Sequence, residues 1–134
     1  MKSYNHLGAL ILRVVLGITF FAHGLDKFQS GIGNIAGFFD SMGIPGFMAY
    51  IIATIEIVGG LALIIGWGTR IVSAILAILL LVAMIKVKLA VGFLGNGQMA
   101  GYELDLSMIA IAISLCLTGS YYFSIDAIVK KDNK

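Results

Sequence analysis

The sequence predicts an all-α membrane protein: a four-transmembrane-helix antiparallel bundle with a short interfacial helix between helices 1 and 2, in a single domain over residues 1–134. Three observations predict it. The chain is 60% hydrophobic and only 12% charged, with a mean hydropathy of +1.02, and a soluble domain of this size leaves too much surface in water to hide such a composition. A bilayer crossing needs roughly 20 mainly apolar residues, and four stretches qualify, at about 7–25, 47–65, 71–90 and 104–121. The connections left over are short, so successive helices run up and down, and no room remains for a soluble catalytic domain.

The first span is the unusual one. Lys2 followed by an apolar run resembles a signal peptide, but Arg13 interrupts the run and no small-x-small cleavage site follows Phe21, so an uncleaved span is expected. At about 100° per residue, Arg13, Gly17, Phe20, Gly24 and Lys27 share one narrow sector, with His23 at its edge. A face of charge, glycine and one aromatic suits protein, trapped water or a ligand, not lipid.

The connection over 29–46 is glycine-rich and holds the one proline, Pro45, together with Ile32, Ile35, Phe38, Phe39 and Met42. Those apolar residues fit a short helix lying at the interface, and Pro45 suits the start of the second span, where a missing N–H costs nothing. Gly66-Trp67-Gly68-Thr69-Arg70 reads as a tight turn between spans two and three, with Trp67 and Arg70 at headgroup level. The connection over 91–101 is glycine-rich and polar. Glu103 and Asp105 open the fourth span, where acidic residues complement a helix N-terminus; that reading is preferred over catalysis for Asp105, and Glu103 reads equally as that or as a site residue. Ser124 is positioned to cap a short amphipathic tail. Four spans put both termini on one side with Lys2, Arg70, Lys130, Lys131 and Lys134, and the positive-inside bias makes that side the cytoplasm.

Depth follows from a rise of about 1.5 Å per residue. Arg13 lies on the order of 9 Å from the inner boundary and Glu56 about 15 Å from either face, within reach of a long arginine side chain. Either a neutral Glu56 or an Arg13–Glu56 pair, which is possible where spans one and two are neighbours, is therefore expected, because an unpaired charge at mid-bilayer costs about 2.5–3.5 kcal/mol or more. Such a pair reads either as a structural pair fixing helix register or as part of a site. His23 and Lys86 form a second tier, about 23 Å from the inner boundary, with Lys27 and Glu103 beyond them. Lys86 and Lys88 are about 200° apart, so at most one faces inward. Gly59 and Gly60 favour close helix packing over ligand approach.

Several chemistries are excluded. Cys116 is the sole cysteine, so neither an intrachain disulfide nor a C-x-x-C pair exists. His6 and His23 lie about 25 Å apart along one helix and cannot ligate one haem. No spacing makes a metal site or an iron–sulfur site, and Gly31-x-Gly33 with Gly37 has no preceding strand to make it a dinucleotide loop. A net charge of +2, with its basic residues beside the spans, does not suggest nucleic acid.

The order Arg13…Gly17…His23-Gly24-x-x-Lys27, then Met42-Gly43-Ile44-Pro45-Gly46, then Glu56-x-x-Gly59-Gly60…Gly66…Thr69-Arg70, and finally Ser124-Ile125-Asp126, resembles the DoxX family of small four-span membrane proteins. The likeness runs from 12 to 126 and looks closest to the short CatD-like and MhqP-like members, labelled oxidoreductases and associated with catechol and hydroquinone stress. The chain departs from the family pattern at Gly119-Ser120-Tyr121, where Gly-Pro-Gly is usual, and at Phe123, where the family has tyrosine. The resemblance implies a bacterial cytoplasmic-membrane protein, and its recurring polar positions fall on Arg13, His23, Lys27, Glu56 and Glu103.

The function expected is binding of a quinone, quinol or related small aromatic compound, in a redox or stress role with a partner protein. Glu56 and His23 are the expected proton-handling residues; Arg13, Phe20, Lys27, Lys86 and Glu103 are the expected ligand contacts. No covalent cofactor and no metal are expected, with quinone as the candidate cofactor. Membrane lipid, a redox protein and a second copy of the chain are the expected partners. The alternatives are a carrier for small aromatic compounds and a scaffold subunit without catalysis.

Overall fold

The computed structural model describes residues 2–29, 31–88, 92–95, 101–120 and 123–132. Among them are helices α1 (Lys2–Gln29), α2 (Ile32–Ser41), α3 (Phe47–Ile65), α4 (Thr69–Ala83, continued by a π-helical turn over Met84–Lys88), α5 (Glu103–Thr118) and α6 (Ile125–Asp132). No strand occurs among the described residues. The short helix expected between the first two spans is α2.

Three helical segments are long and apolar enough to cross a membrane: Tyr4–Gln29, Phe47–Ile65 and Thr69–Lys86. The expected fourth span is shorter than its hydropathy suggested. α5 has 16 residues, about 24 Å of helix against about 30 Å of hydrocarbon, and it ends where Gly119 turns to φ 68°. Residues 89–90 of the expected third span and 121 of the fourth lie outside the described residues.

The burial pattern is that of a soluble protein turned inside out. Val15 and Ile18 of α1, Val58 of α3, Ile71 and Ile78 of α4 and Leu117 of α5 are exposed, while Arg13, Glu56, Ser73, Asp105, Ser120 and Ser124 are buried. Apolar side chains facing outward and polar ones inward are what a hydrocarbon surround selects. The apolar centre between these polar groups is made by Leu16, Phe20, Leu63, Leu76, Met108, Ala112 and Leu115.

Glycines set the register. α1 packs against α3 backbone to backbone: a Cβ built on Gly17 would stand 2.7 Å from the Gly60 carbonyl oxygen, and one on Gly60 would stand 2.6 Å from that of Gly17. Further along, a Cβ on Gly24 would meet the Ala53 carbonyl oxygen at 2.8 Å. Small residues that let helices touch are the usual glue inside a membrane, where hydrophobicity offers no drive for association. Gly59 instead faces α4, where a Cβ would lie 3.2 Å from Leu76. The two adjacent glycines thus seat two different neighbours.

α3 ends in a Schellman arrangement. Trp67 N–H donates to the Ala62 carbonyl at 2.8 Å and Gly66 N–H to that of Leu63 at 3.2 Å, with Gly66 at φ 75°. Gly68, also left-handed at φ 62°, completes the expected tight turn. At the other end, Asp40 of α2 accepts the Gly46 N–H at 2.8 Å, which ties α2 to the entry of α3.

Candidate functional site

One turn of α1 carries Phe20 and His23 to the same side as Lys27, as the sector analysis expects. From α3, Glu56 points at them. Lys27 Nζ lies 2.8 and 2.9 Å from the two Glu56 carboxylate oxygens, a two-point ion pair whose side chains are 25% and 7% exposed. Burial of this kind demands a partner, because a bare carboxylate in a low-dielectric surround is costly.

The pair walls a cavity of about 290 Å³. Phe20, His23 and Lys27 of α1, Glu56 of α3 and Asp105 of α5 bring its polar and aromatic groups. Ile35, Phe38 and Phe39 of α2 cover it, and Leu79, Leu80 and Ala83 of α4 with Met108 of α5 complete an apolar wall. An apolar chamber with a few converging polar groups is the usual form of a small-molecule site, and this one lies at the small end of the range. His23 lines the cavity and has no hydrogen-bond partner among the described residues.

The Arg13–Glu56 pair that depth counting allows is not formed. The glycine seam explains why: with Gly17 against Gly60 and Gly24 against Ala53, the Arg13 guanidinium comes beside Gly66 at the end of α3, and Glu56 comes beside Gly24. Lys27, one turn beyond, reaches back along its flexible stem. Counting from a nominal membrane boundary had misjudged where α1 and α3 touch.

Arg13 serves a different place. Its guanidinium donates to the Ser120 carbonyl at 3.2 Å, to Ser120 Oγ at 3.4 Å and to the Phe123 carbonyl at 3.1 Å, holding the segment that leads into α6. Gly66 leaves room for this, since a Cβ there would lie 2.9 Å from Arg13 Nη1 and would collide with Ser124. Asp126 accepts N–H bonds from Gly68 at 2.7 Å and Thr69 at 3.0 Å, capping α4. Ser124 Oγ accepts from Ala127 N–H at 3.1 Å and caps α6, as expected. Arg70 donates to the carbonyls of Cys116 and Leu117 at 2.9 and 2.8 Å, finishing α5.

Of the expected site residues, Phe20, His23, Lys27 and Glu56 are therefore brought together, and Arg13 is about three helical turns away from that group along α1. Lys86 lines a neighbouring apolar cleft; the side chain of Lys88 lies outside those described. Glu103 is exposed and does not line the cavity. The residue missed is Asp105, buried and in the cavity wall. A signal existed: Glu103 and Asp105 are about 200° apart on a helix, so only one faces inward, and Asp105 shares its face with Met108 and Ala112. Asp126 was legible only as part of a motif. Among the described residues, no group of three or more His, Cys, Asp or Glu side chains could hold a metal ion.

The DoxX family model matches residues 8–89, a stretch that contains every polar wall of the cavity except Asp105. The chain is 46% identical over 133 residues to a Bacillus subtilis protein named "Putative oxidoreductase CatD", covering 99% of this chain and 94% of the relative. It is 29% identical over 137 residues to the Inner membrane protein YqjF of Escherichia coli, covering 98% of each. An Uncharacterized membrane protein Rv3486 of Mycobacterium tuberculosis is 30% identical over 132 residues, covering 91% of this chain and 81% of that one. No solved structure matches significantly.

Proposed function

Given that this chain belongs to the DoxX family, we propose that it is a bacterial cell-membrane protein that binds a quinone, quinol or related small aromatic compound in the cavity between α1, α2, α3 and α5. It would serve a redox or catechol-stress role with a partner protein that supplies or takes the electrons. In this reading α5 is a fourth, short crossing in an antiparallel bundle, and both termini are cytoplasmic, on the side of Lys2 and Arg70.

The observation that carries the reading is the Lys27–Glu56 pair set into a mainly apolar and aromatic chamber. Phe20, Phe38 and Phe39 offer faces and edges for a flat ring. Lys27 donates to a ring oxygen and stabilises negative charge that develops there. Glu56 accepts the phenolic proton as a quinol is oxidised or returns it as a quinone is reduced, and His23 in the cavity wall relays it. Asp105, in the wall that α5 supplies, is a second acceptor for the far hydroxyl of a quinol.

The test is equilibrium binding of a radiolabelled naphthoquinone to the purified protein in lipid nanodiscs. Saturable binding is expected, weakened about tenfold or more by Lys27→Met. Native protein that binds none of it, or a Lys27→Met variant that binds as well as the native chain, would overturn the reading.

A further inference from the structure

The cavity does not end at its own walls. Phe39, Ile52, Leu79 and Ala83 line it on one side and on the other line a second hollow of about 390 Å³ between α3 and α4. Apart from Lys86, the residues around that second hollow are aliphatic, methionine or phenylalanine. Past Ile75 the same groove continues as a third hollow of about 370 Å³, floored by Gly59 and flanked by Val58 and Leu76. Its one hydroxyl, on Thr54, is already spent on the Tyr50 carbonyl at 2.8 Å. The result is a chamber with a few converging polar groups that opens into a long groove, in which Lys86 is the one charged residue among those that line it.

Two further features favour an occupant there. α4 leaves regular α-helical geometry just where chamber and groove meet, with Ala83 as its last residue before the π-helical turn; such turns widen a helix and recur at functional sites. The groove also opens sideways, through Ile78 and Val82, which are exposed on the face that would meet lipid.

We propose that the groove holds the long apolar chain of an amphiphile whose polar ring occupies the chamber. The ligand is then lipid-dissolved and enters sideways between α3 and α4 beneath α2, not a free water-soluble phenol arriving from the aqueous face. This rests on the ring-binding reading of the chamber and narrows it. Phe39, Ile52, Leu79 and Ala83 form the collar through which ring joins chain.

The experiment uses the full chain in lipid nanodiscs and two probes: a naphthoquinone without a side chain, and the same ring bearing a long alkyl chain that ends in a diazirine. Photolysis should place adducts on Met48, Ile78 and Val82, and excess ring without a chain should suppress them. Narrowing the groove with Val82→Trp should weaken binding of the chain-bearing probe about tenfold while leaving the chainless ring unchanged, which also shows that the variant folds. Binding of the chainless ring together with adducts spread evenly over Val15 and Ile113 overturns the groove alone. So does groove labelling that the bound ring fails to displace. If the chainless ring does not bind at all, the ring-binding reading falls and this proposal falls with it.

Discussion

Lys27 and Glu56 stand 29 residues apart in sequence yet meet through both carboxylate oxygens, with Nζ 2.8 Å from one and 2.9 Å from the other. The contact crosses a backbone-to-backbone helix seam and depends on it. Only because Gly24 has no side chain can α1 come near enough to Ala53 and Glu56 for the lysine to fold back onto the acid.

Removing one member of the pair should cost more than removing both. Lys27→Met leaves Glu56 buried without its cation, a situation that costs about 3–5 kcal/mol when burial is complete; a quarter of the lysine side chain is exposed, so the loss should fall at the low end. The double variant Lys27→Met with Glu56→Leu should recover much of that loss. Thermal unfolding in detergent reads both, and a double variant no more stable than Lys27→Met would contradict it.

The two neighbouring glycines should respond unequally to the same change. A methyl on Gly60 meets backbone atoms of Gly17 and Phe21 and should cost about 1–3 kcal/mol by forcing α1 from α3. Gly59→Ala meets only the side chain of Leu76, at 3.2 Å, which can turn aside. Unfolding temperatures that drop equally for the two would refute the seam as the element fixing register.

Asp105 and Glu103 should separate in a binding assay. Asp105→Asn keeps the shape of the cavity wall but replaces a carboxylate by an amide that donates to a quinone oxygen, and naphthoquinone affinity should rise by about tenfold. Glu103→Gln, exposed in the first turn of α5, should leave affinity where it was. The reverse ranking would move the site.

Arg13 should guard the tail and not the ligand. Arg13→Gln loses the fork that holds the Ser120 and Phe123 carbonyls, and limited proteolysis should then cut near α6 earlier than in the native chain. Asp126→Ala removes the cap on α4 and should cost about 1 kcal/mol while exposing the same segment. Ring binding in the distant chamber should persist in both.

Much of this was legible in the residues. The sector that joins Phe20, His23 and Lys27 follows from helical angle alone, as do the turn at Gly66–Gly68 and the cap at Ser124. The partner of Glu56 did not follow, because a pairing across helices depends on their relative slide, which hydropathy does not encode. The slide is set by where backbone meets backbone, and Gly17, Gly24 and Gly60 carried that information unread. Asp105 was missed for a different reason. Its place at a helix start already explained an acidic residue, and a sufficient local explanation hid the global one.

The bonds of Arg13 also bear on how the molecule is made. Its acceptors come 107 and 110 residues later in the chain. Both follow α2, α3, α4 and α5 in the chain, so α1 is made while the Ser120 and Phe123 acceptors of its guanidinium do not yet exist. Whatever shelters that charge in the interval, water, lipid phosphate or an insertion factor, is displaced when the segment leading into α6 arrives.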